Sequence, residues 1–175
     1  MTVSASTADS IAGNLMINRP YIYSRIFSYS LKESLPKLYS WLNYNYESWV
    51  SSSVTPFQSL DGKEYLQFAK SGKWGMDLWD DLVAPQLQSP MNVETWRNGA
   101  GGRMSSICGS GPKAVKKEAY DIYMIAEVTV DGVSCQGTED HSKWGSTTAQ
   151  SGKTVSCVGD INRMCSQEER GGNQL

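Results

Sequence analysis

The sequence predicts a mixed α/β fold in which helices are the minority, and three observations carry that expectation. Nine Tyr, six Trp and 16 Gly among 175 residues favour strands joined by tight turns, because aromatic side chains suit a pleated, half-buried surface and glycine tolerates turn conformations. Three segments repeat apolar residues at helical intervals. Around them lie runs of β-branched and aromatic residues punctuated by Asp-Gly pairs, the pattern of strands and hairpins. With 39% hydrophobic and 19% charged residues, the composition is that of a globular chain long enough for one domain with a core.

Residues 8–17 read as a short amphipathic helix, with Asp9 or Ser10 as N-cap, Ile11, Leu15 and Met16 on the apolar face, and Pro20 beyond its end. Leu31, Leu35, Leu38, Tyr39 and Leu42 keep helical spacing, with Pro36 either kinking the segment or opening a second short helix. The aromatic cluster at its end, Tyr39, Trp41, Tyr44 and Tyr46, is expected to pack, with base stacking the lesser alternative. Residues 49–57 and 65–69 read as the strands of a hairpin turned at Asp61-Gly62. Met76, Leu78, Trp79, Leu82 and Val83 predict a helix over 74–87, ended by Pro85 or shortly after, with Asp77, Asp80 and Asp81 on its hydrated face.

Residues 93–96 read as a strand and 98–102 as a flexible loop, which lacks the lysine and hydroxyl of a phosphate-binding P-loop. Residues 120–130 give the strongest strand signal, expected at the centre of the sheet and closed by a turn at Asp131-Gly132. His141 and Lys143 follow on a further strand or strand end. A glycine- and serine-rich loop is expected over 145–153, with a return strand along 155–161.

His141 is the one histidine in the chain and stands two positions before Lys143. In extended chain, residues i and i+2 leave the backbone on the same side. An imidazole and an ammonium facing one spot suit a phosphodiester: the imidazole attacks phosphorus or shuttles a proton, and the fixed cation holds the non-bridging oxygens. Asp160 and Asn162 repeat the spacing and are expected to face one way, orienting the histidine or binding phosphate oxygen. Taken alone, an H-x-K triplet is weak, and a lone histidine is more often a surface or structural residue.

A net charge of −2 argues against a protein built to live on nucleic acid, whose binding rests on many phosphate-neutralising cations. It is compatible with a local cationic cleft. Lys113, Lys116 and Lys117 form the dense basic cluster, either a solvated surface or a guide for DNA. Four cysteines, Cys108, Cys135, Cys157 and Cys165, allow three pairings if all are bridged. None stands in C-x-x-C and there is one histidine, so no zinc constellation is expected. Neither a signal peptide nor a bilayer-spanning segment is visible.

The run TEDHSKW, followed by CVGDINR and then EERGG, resembles the second active-site region of deoxyribonuclease II, a branch of the phospholipase D superfamily. Weaker similarity reaches back through VETWRNG, LQFAKSGKWGMDLWDDLVAPQL and IAGNLMINRPYIYS. All of it reads like the C-terminal half of that family. The resemblance implies a phospholipase D-like sheet flanked by helices, one incomplete half of a pseudo-dimeric fold. Residues 1–175 would be the C-terminal half, with the N-terminal half and the extreme C-terminus missing and an apolar edge left exposed.

The implied activity is acid endonucleolytic hydrolysis of DNA without metal or cofactor, in a protein that is lysosomal or secreted. In the superfamily two H-x-K motifs meet: one histidine becomes a phosphohistidine, and the other protonates the leaving 5′ oxygen and then activates water. Carried over, His141 takes one of these roles, Lys143 binds phosphate, Asn162 supports with a hydrogen bond and Asp160 participates. With a single histidine, the chain is expected to need a second copy or the missing half to turn over. The other readings are a catalytically dead secreted relative that binds nucleic acid or a host protein, and an unrelated structural domain. The resemblance also implies disulfides, but Gly145 stands where the family often has a cysteine, which leaves the partner of Cys157 open.

Overall fold

Alternation and turn chemistry sort nine strands into three sheets in the computed structural model, which describes residues 1–46, 50–99, 120–149, 152 and 154–175. The fold is mixed α/β. The chain divides into two units, Met1–Trp74 with Arg170–Leu175, and Gly75–Glu169. Among the described residues no helix is long and apolar enough to cross a membrane.

In the first unit β1 (Ser52–Gln58) and β2 (Glu64–Lys70) form the predicted hairpin, and β9 (Gly172–Gln174) adds to the other edge of β2. Phe57 sits opposite Tyr65 with their rings stacked at 5.2 Å. Helix α1 (Ala5–Asn18) packs on this sheet. It begins earlier than predicted, because Ser4 accepts the Thr7 N–H at 3.1 Å and serves as N-cap. Asp9, expected to cap its own helix, caps another: its Oδ1 accepts the N–H groups of Lys37 and Leu38 in α3 (Pro36–Leu42).

The buried face of α1 carries Ala12, Asn14 and Asn18 rather than Ile11, Leu15 and Met16, which are half-buried. Burial of the Asn14 amide is compensated by hydrogen bonds, as it must be. Its Nδ2 donates to Gln67 Oε1 at 3.0 Å, and its Oδ1 accepts from Thr55 Oγ1 at 3.3 Å. Pro36 opens α3 after the short α2 (Leu31–Ser34), the position where a missing N–H costs nothing. Tyr39 packs edge-on against Phe27 and Tyr29.

The second unit is built on a four-stranded sheet in the order β4-β3-β7-β8. β3 (Met91–Thr95) is central, parallel to β4 (Ile122–Met124) and antiparallel to β7 (Lys143–Thr147), with β8 (Ser156–Val158) beyond β7. The segment 120–130 is therefore not one central strand. It gives the edge strand β4, leaves the sheet after the Ile125 N–H donates to the Val93 carbonyl, and continues as β5 (Glu127–Val130). The Asp131-Gly132 turn then leads into β6 (Val133–Gln136), so β5 and β6 form a separate two-stranded ribbon. Nor is 145–153 all loop, because Gly145 to Thr147 continue β7.

The predicted helix over 74–87 resolves into a π-helical turn, Trp79–Val83, running into α4 (Ala84–Leu87), whose first turn contains Pro85 and which ends shortly after it, as expected. Asp77 and Asp80 are buried rather than hydrated. Asp77 Oδ1 accepts the Asp80 N–H at 2.7 Å and pairs with Arg163 Nε at 3.3 Å, and Arg163 is itself wholly buried. A charge inside a protein survives only when paired in this way. Asp77 thus anchors this turn to the segment at Arg163, while Asp81 Oδ2 accepts the Asp77 N–H at 2.9 Å.

No disulfide joins the described cysteines: Cys135 and Cys165 are exposed thiols and Cys157 is a buried one, while Cys108 lies outside the described residues. The reason at Cys157 is local. It faces Gly145 directly across β8 and β7, and the space a side chain at 145 would need is filled by the indole of Trp79. A Cβ on Gly145 would stand 2.6 Å from Trp79 Cζ3 and 3.1 Å from the Asn92 carbonyl oxygen. Burial pushes the Cys157 thiol up to about 11, so it is held as an unreactive thiol. Gly145→Ala is accordingly expected to destabilise the protein by about 1–3 kcal/mol, the usual cost of overpacking a rigid core, read as a lower denaturant midpoint. An unchanged midpoint would show that Trp79 yields freely.

Candidate active site

Three strand ends meet at one end of the four-stranded sheet: the C-terminal end of β3, the N-terminal end of β7 and the C-terminal end of β8. Lys143 opens β7 directly opposite Thr95. Its backbone carbonyl accepts the Gly159 N–H at 2.9 Å, which ties the 159–162 segment to the same end. Thr95 Oγ1 accepts the Arg163 N–H at 3.0 Å. Asn162 is thus held one residue from a group bonded to the register partner of Lys143.

His141 is exposed and lies flat on Trp96, ring centroids 4.3 Å apart with 25° between planes. Stacking uses the face of the imidazole and leaves its edge, where both nitrogens lie, for in-plane hydrogen bonds. Lys143 Nζ donates to the His141 carbonyl oxygen. An ammonium has three donors, so this bond to the backbone of His141 uses one of them.

Asp140 forms a tight local cap, its Oδ1 accepting the Ser142 N–H at 2.8 Å and its Oδ2 the Ser142 hydroxyl at 2.7 Å. These bonds, and then the charges of Lys143 and His141, hold its carboxyl below the usual range. The capping turn fixes the backbone on either side of His141.

The expected pairing of Asp160 with Asn162 is not realised as extended chain, because β8 ends at Val158. Asp160 is exposed, whereas Asn162 is half-buried, with an Oδ1 that is buried and has no hydrogen-bond partner among the described residues. Lys113, Lys116 and Lys117 lie outside the described residues.

Sequence reasoning missed Trp96 as the platform for the histidine, and it missed Glu94. Both lie on one predicted strand two residues apart, and that alternation was the available signal. Glu94 is 0% exposed, and neither carboxyl oxygen has a hydrogen-bond partner among the described residues. Burial first, and then the nearby Asp140 carboxylate, push its carboxyl up to about 7, against the opposing pull of Arg97. Arg163 was missed because its partner Asp77 lies 86 residues away, beyond any local pattern.

A model of the family Deoxyribonuclease II matches residues 1–175. The chain is 33% identical over 169 residues to Plancitoxin-1 of Acanthaster planci, covering 95% of this chain and 44% of that protein. It is 40% identical over 125 residues to a putative deoxyribonuclease-2 of Burkholderia pseudomallei, covering 71% of this chain and 33% of that one. To deoxyribonuclease-2-alpha of Sus scrofa it is 31% identical over 169 residues, covering 93% and 43%. The chain spans less than half the length of each of these relatives.

The raised carboxyl of Glu94 makes a prediction about stability. The folded state binds this proton more tightly than the unfolded chain, so the contribution is fully present below the ordinary value of 4.5 and is lost as pH rises to about 7. The loss is at most about 1.4 kcal/mol per pH unit across that window. Glu94→Gln is expected to flatten this part of the stability curve, measured by denaturant unfolding at several pH values. An equally steep fall in the variant would assign it to another group.

Proposed function

The chain belongs to the deoxyribonuclease II family, and on that premise we propose that it supplies the C-terminal half of a DNA endonuclease that uses histidine chemistry and no metal. The observation that carries this reading is the single histidine stacked on Trp96 with Lys143 bonded to its own carbonyl. That arrangement offers a nucleophile or proton carrier and a cation to one phosphate.

In this reading a DNA phosphodiester enters at the end of β3, β7 and β8. Lys143 and the Asn162 amide hold the non-bridging oxygens, where preorganised donors stabilise the charge that develops in the transition state. Asp140, bonded to the Ser142 N–H and hydroxyl, keeps the backbone around His141 fixed. His141 either attacks phosphorus or passes a proton at the leaving oxygen. Asp160, exposed beside this end, has a supporting part at most. Lys113, Lys116 and Lys117 would guide DNA.

A site with one histidine supplies one of the two roles, so the second must come from a second H-x-K motif, in the family's other half or in another copy. The chain alone is then expected to bind phosphate weakly and turn over little, because groups that act as a unit lose nearly all activity when one is absent. A lysosomal or secreted setting belongs with this reading.

The test is plasmid nicking at acid pH in the presence of chelator, with the polypeptide carrying the family's other H-x-K motif supplied in trans. Cleavage is expected on mixing, abolished by His141→Ala and lowered about 10²–10³-fold by Lys143→Ala. Cleavage that survives His141→Ala, or that requires magnesium, would overturn the mechanism. Salt-dependent DNA binding without cleavage would point to a binding module.

A further inference from the structure

Glu94 lies beneath residues 137–142, the segment that delivers His141. A Cβ on Gly137 would come within 2.8 Å of Glu94 Oε2, 3.0 Å of its Oε1 and 2.8 Å of the Ile125 carbonyl oxygen, so only glycine lets the segment lie this close. Two more contacts hold the segment to β3 and its continuation. Trp96 carries the His141 ring, and Asn98 Nδ2 donates to the Thr138 carbonyl at 2.5 Å. Residues 94, 96 and 98 thus touch the segment at three points, the last two beyond the end of β3 at Thr95.

Among the described residues the charged groups around Glu94 are few. The segment contributes Asp140, which hydrogen bonds from Ser142 keep ionised, and the continuation of β3 contributes Arg97. The connection at Ile125 and Ala126 brings no charge, and neither does Trp144, the register partner of Glu94 on β7. Lys143 and His141 act on Asp140. A buried carboxylate with no donor among the described residues, beside a second carboxylate, is an unfavourable arrangement, whereas a neutral acid in the same place is not.

We propose that Glu94 is a positioning residue for His141: as a neutral acid it lets residues 137–142 lie against β3 with the imidazole on Trp96, and as a carboxylate it repels Asp140 and loosens that contact. The site would then be assembled in acid and relaxed towards neutral pH, by a group that does not touch substrate. As a statement about catalysis this rests on the nuclease reading above. As a statement about His141 it is testable without turnover.

Because His141 is the one histidine in the chain, its ring protons give unique magnetic resonance signals, and stacking on an indole displaces them upfield. In the intact chain the His141 signal is expected to show, beyond its own titration, a second step centred near pH 7 in which the upfield displacement is lost. Glu94→Gln, an uncharged replacement of the same shape, is expected to remove that step and keep the displacement at every pH. Asp140→Asn removes the opposing charge and is expected to move the step to lower pH, which decides the matter if the first variant does not fold. A second step retained unchanged in Glu94→Gln, or one that does not move in Asp140→Asn, would overturn the proposal. In the nicking assay with the other half supplied, Glu94→Gln should extend activity towards neutral pH. If no nicking occurs with any protein while the resonance behaves as expected, the nuclease reading fails and the positioning role stands.

Discussion

The register of β7 on β3 is the constraint on which the rest of the site depends. Side chains alternate along a strand, so a slip of one residue would turn every side chain of β7 to the opposite face. Gly145 prevents that slip: it is the position that meets the indole of Trp79, and any Cβ there would collide with the ring. With Gly145 opposite Val93, Lys143 stands opposite Thr95 and the preceding residues fall beside Trp96. A packing contact in the core thus sets where the histidine and lysine lie at the end of the sheet. The same contact leaves no room for a side chain at 145, the position opposite Cys157, and no bridge joins β7 to β8 among the described residues.

Buried charge does the remaining positioning, in two different ways. Arg163 and Asp77 form a closed pair that fastens the segment after β8 to the turn before Trp79, and Arg163 is fixed further by its N–H on Thr95. Breaking such a pair from one side typically costs about 3–5 kcal/mol, since the other charge is left stranded. Asn162 owes its position to this anchor. Glu94 has no counterpart of that kind: its oxygens lack donors among the described residues, so its charge state, rather than a bond, determines how well the segment above it fits.

Much of this was legible in the sequence where the signal was local. The hairpin at Asp61-Gly62, the role of Pro36 as a helix start and the strand at 93–96 all follow from turn chemistry and periodicity over a few residues. The expectation of a strand or strand end at His141 and Lys143 was local too, and β7 begins at Lys143. What failed depended on distant partners. The segment 120–130 has the composition of one strand, yet its hydrogen bonds to β3 stop at Ile125 and the rest pairs with β6. Asp77 and Asp80 looked hydrated because nothing nearby in the chain predicts Arg163 as a neighbour. Asp160 and Asn162 share the spacing of the H-x-K pair, but the strand that would make it meaningful ends two residues earlier. Glu94 was passed over as one polar residue in a strand, since only the folded chain sets Gly137 and Asp140 against it.

On the proposed reading this sheet end gathers His141, Lys143 and Asn162 around one phosphate-sized volume. Titration of the whole chain with inorganic phosphate at mildly acid pH, following the His141 ring protons and the Asn162 side-chain amide together, tests it directly. Both signals are expected to move along one saturation curve, and Lys143→Ala is expected to weaken the binding reported by both. Movement of His141 with an unperturbed Asn162 amide, or no saturable response of either, would contradict it.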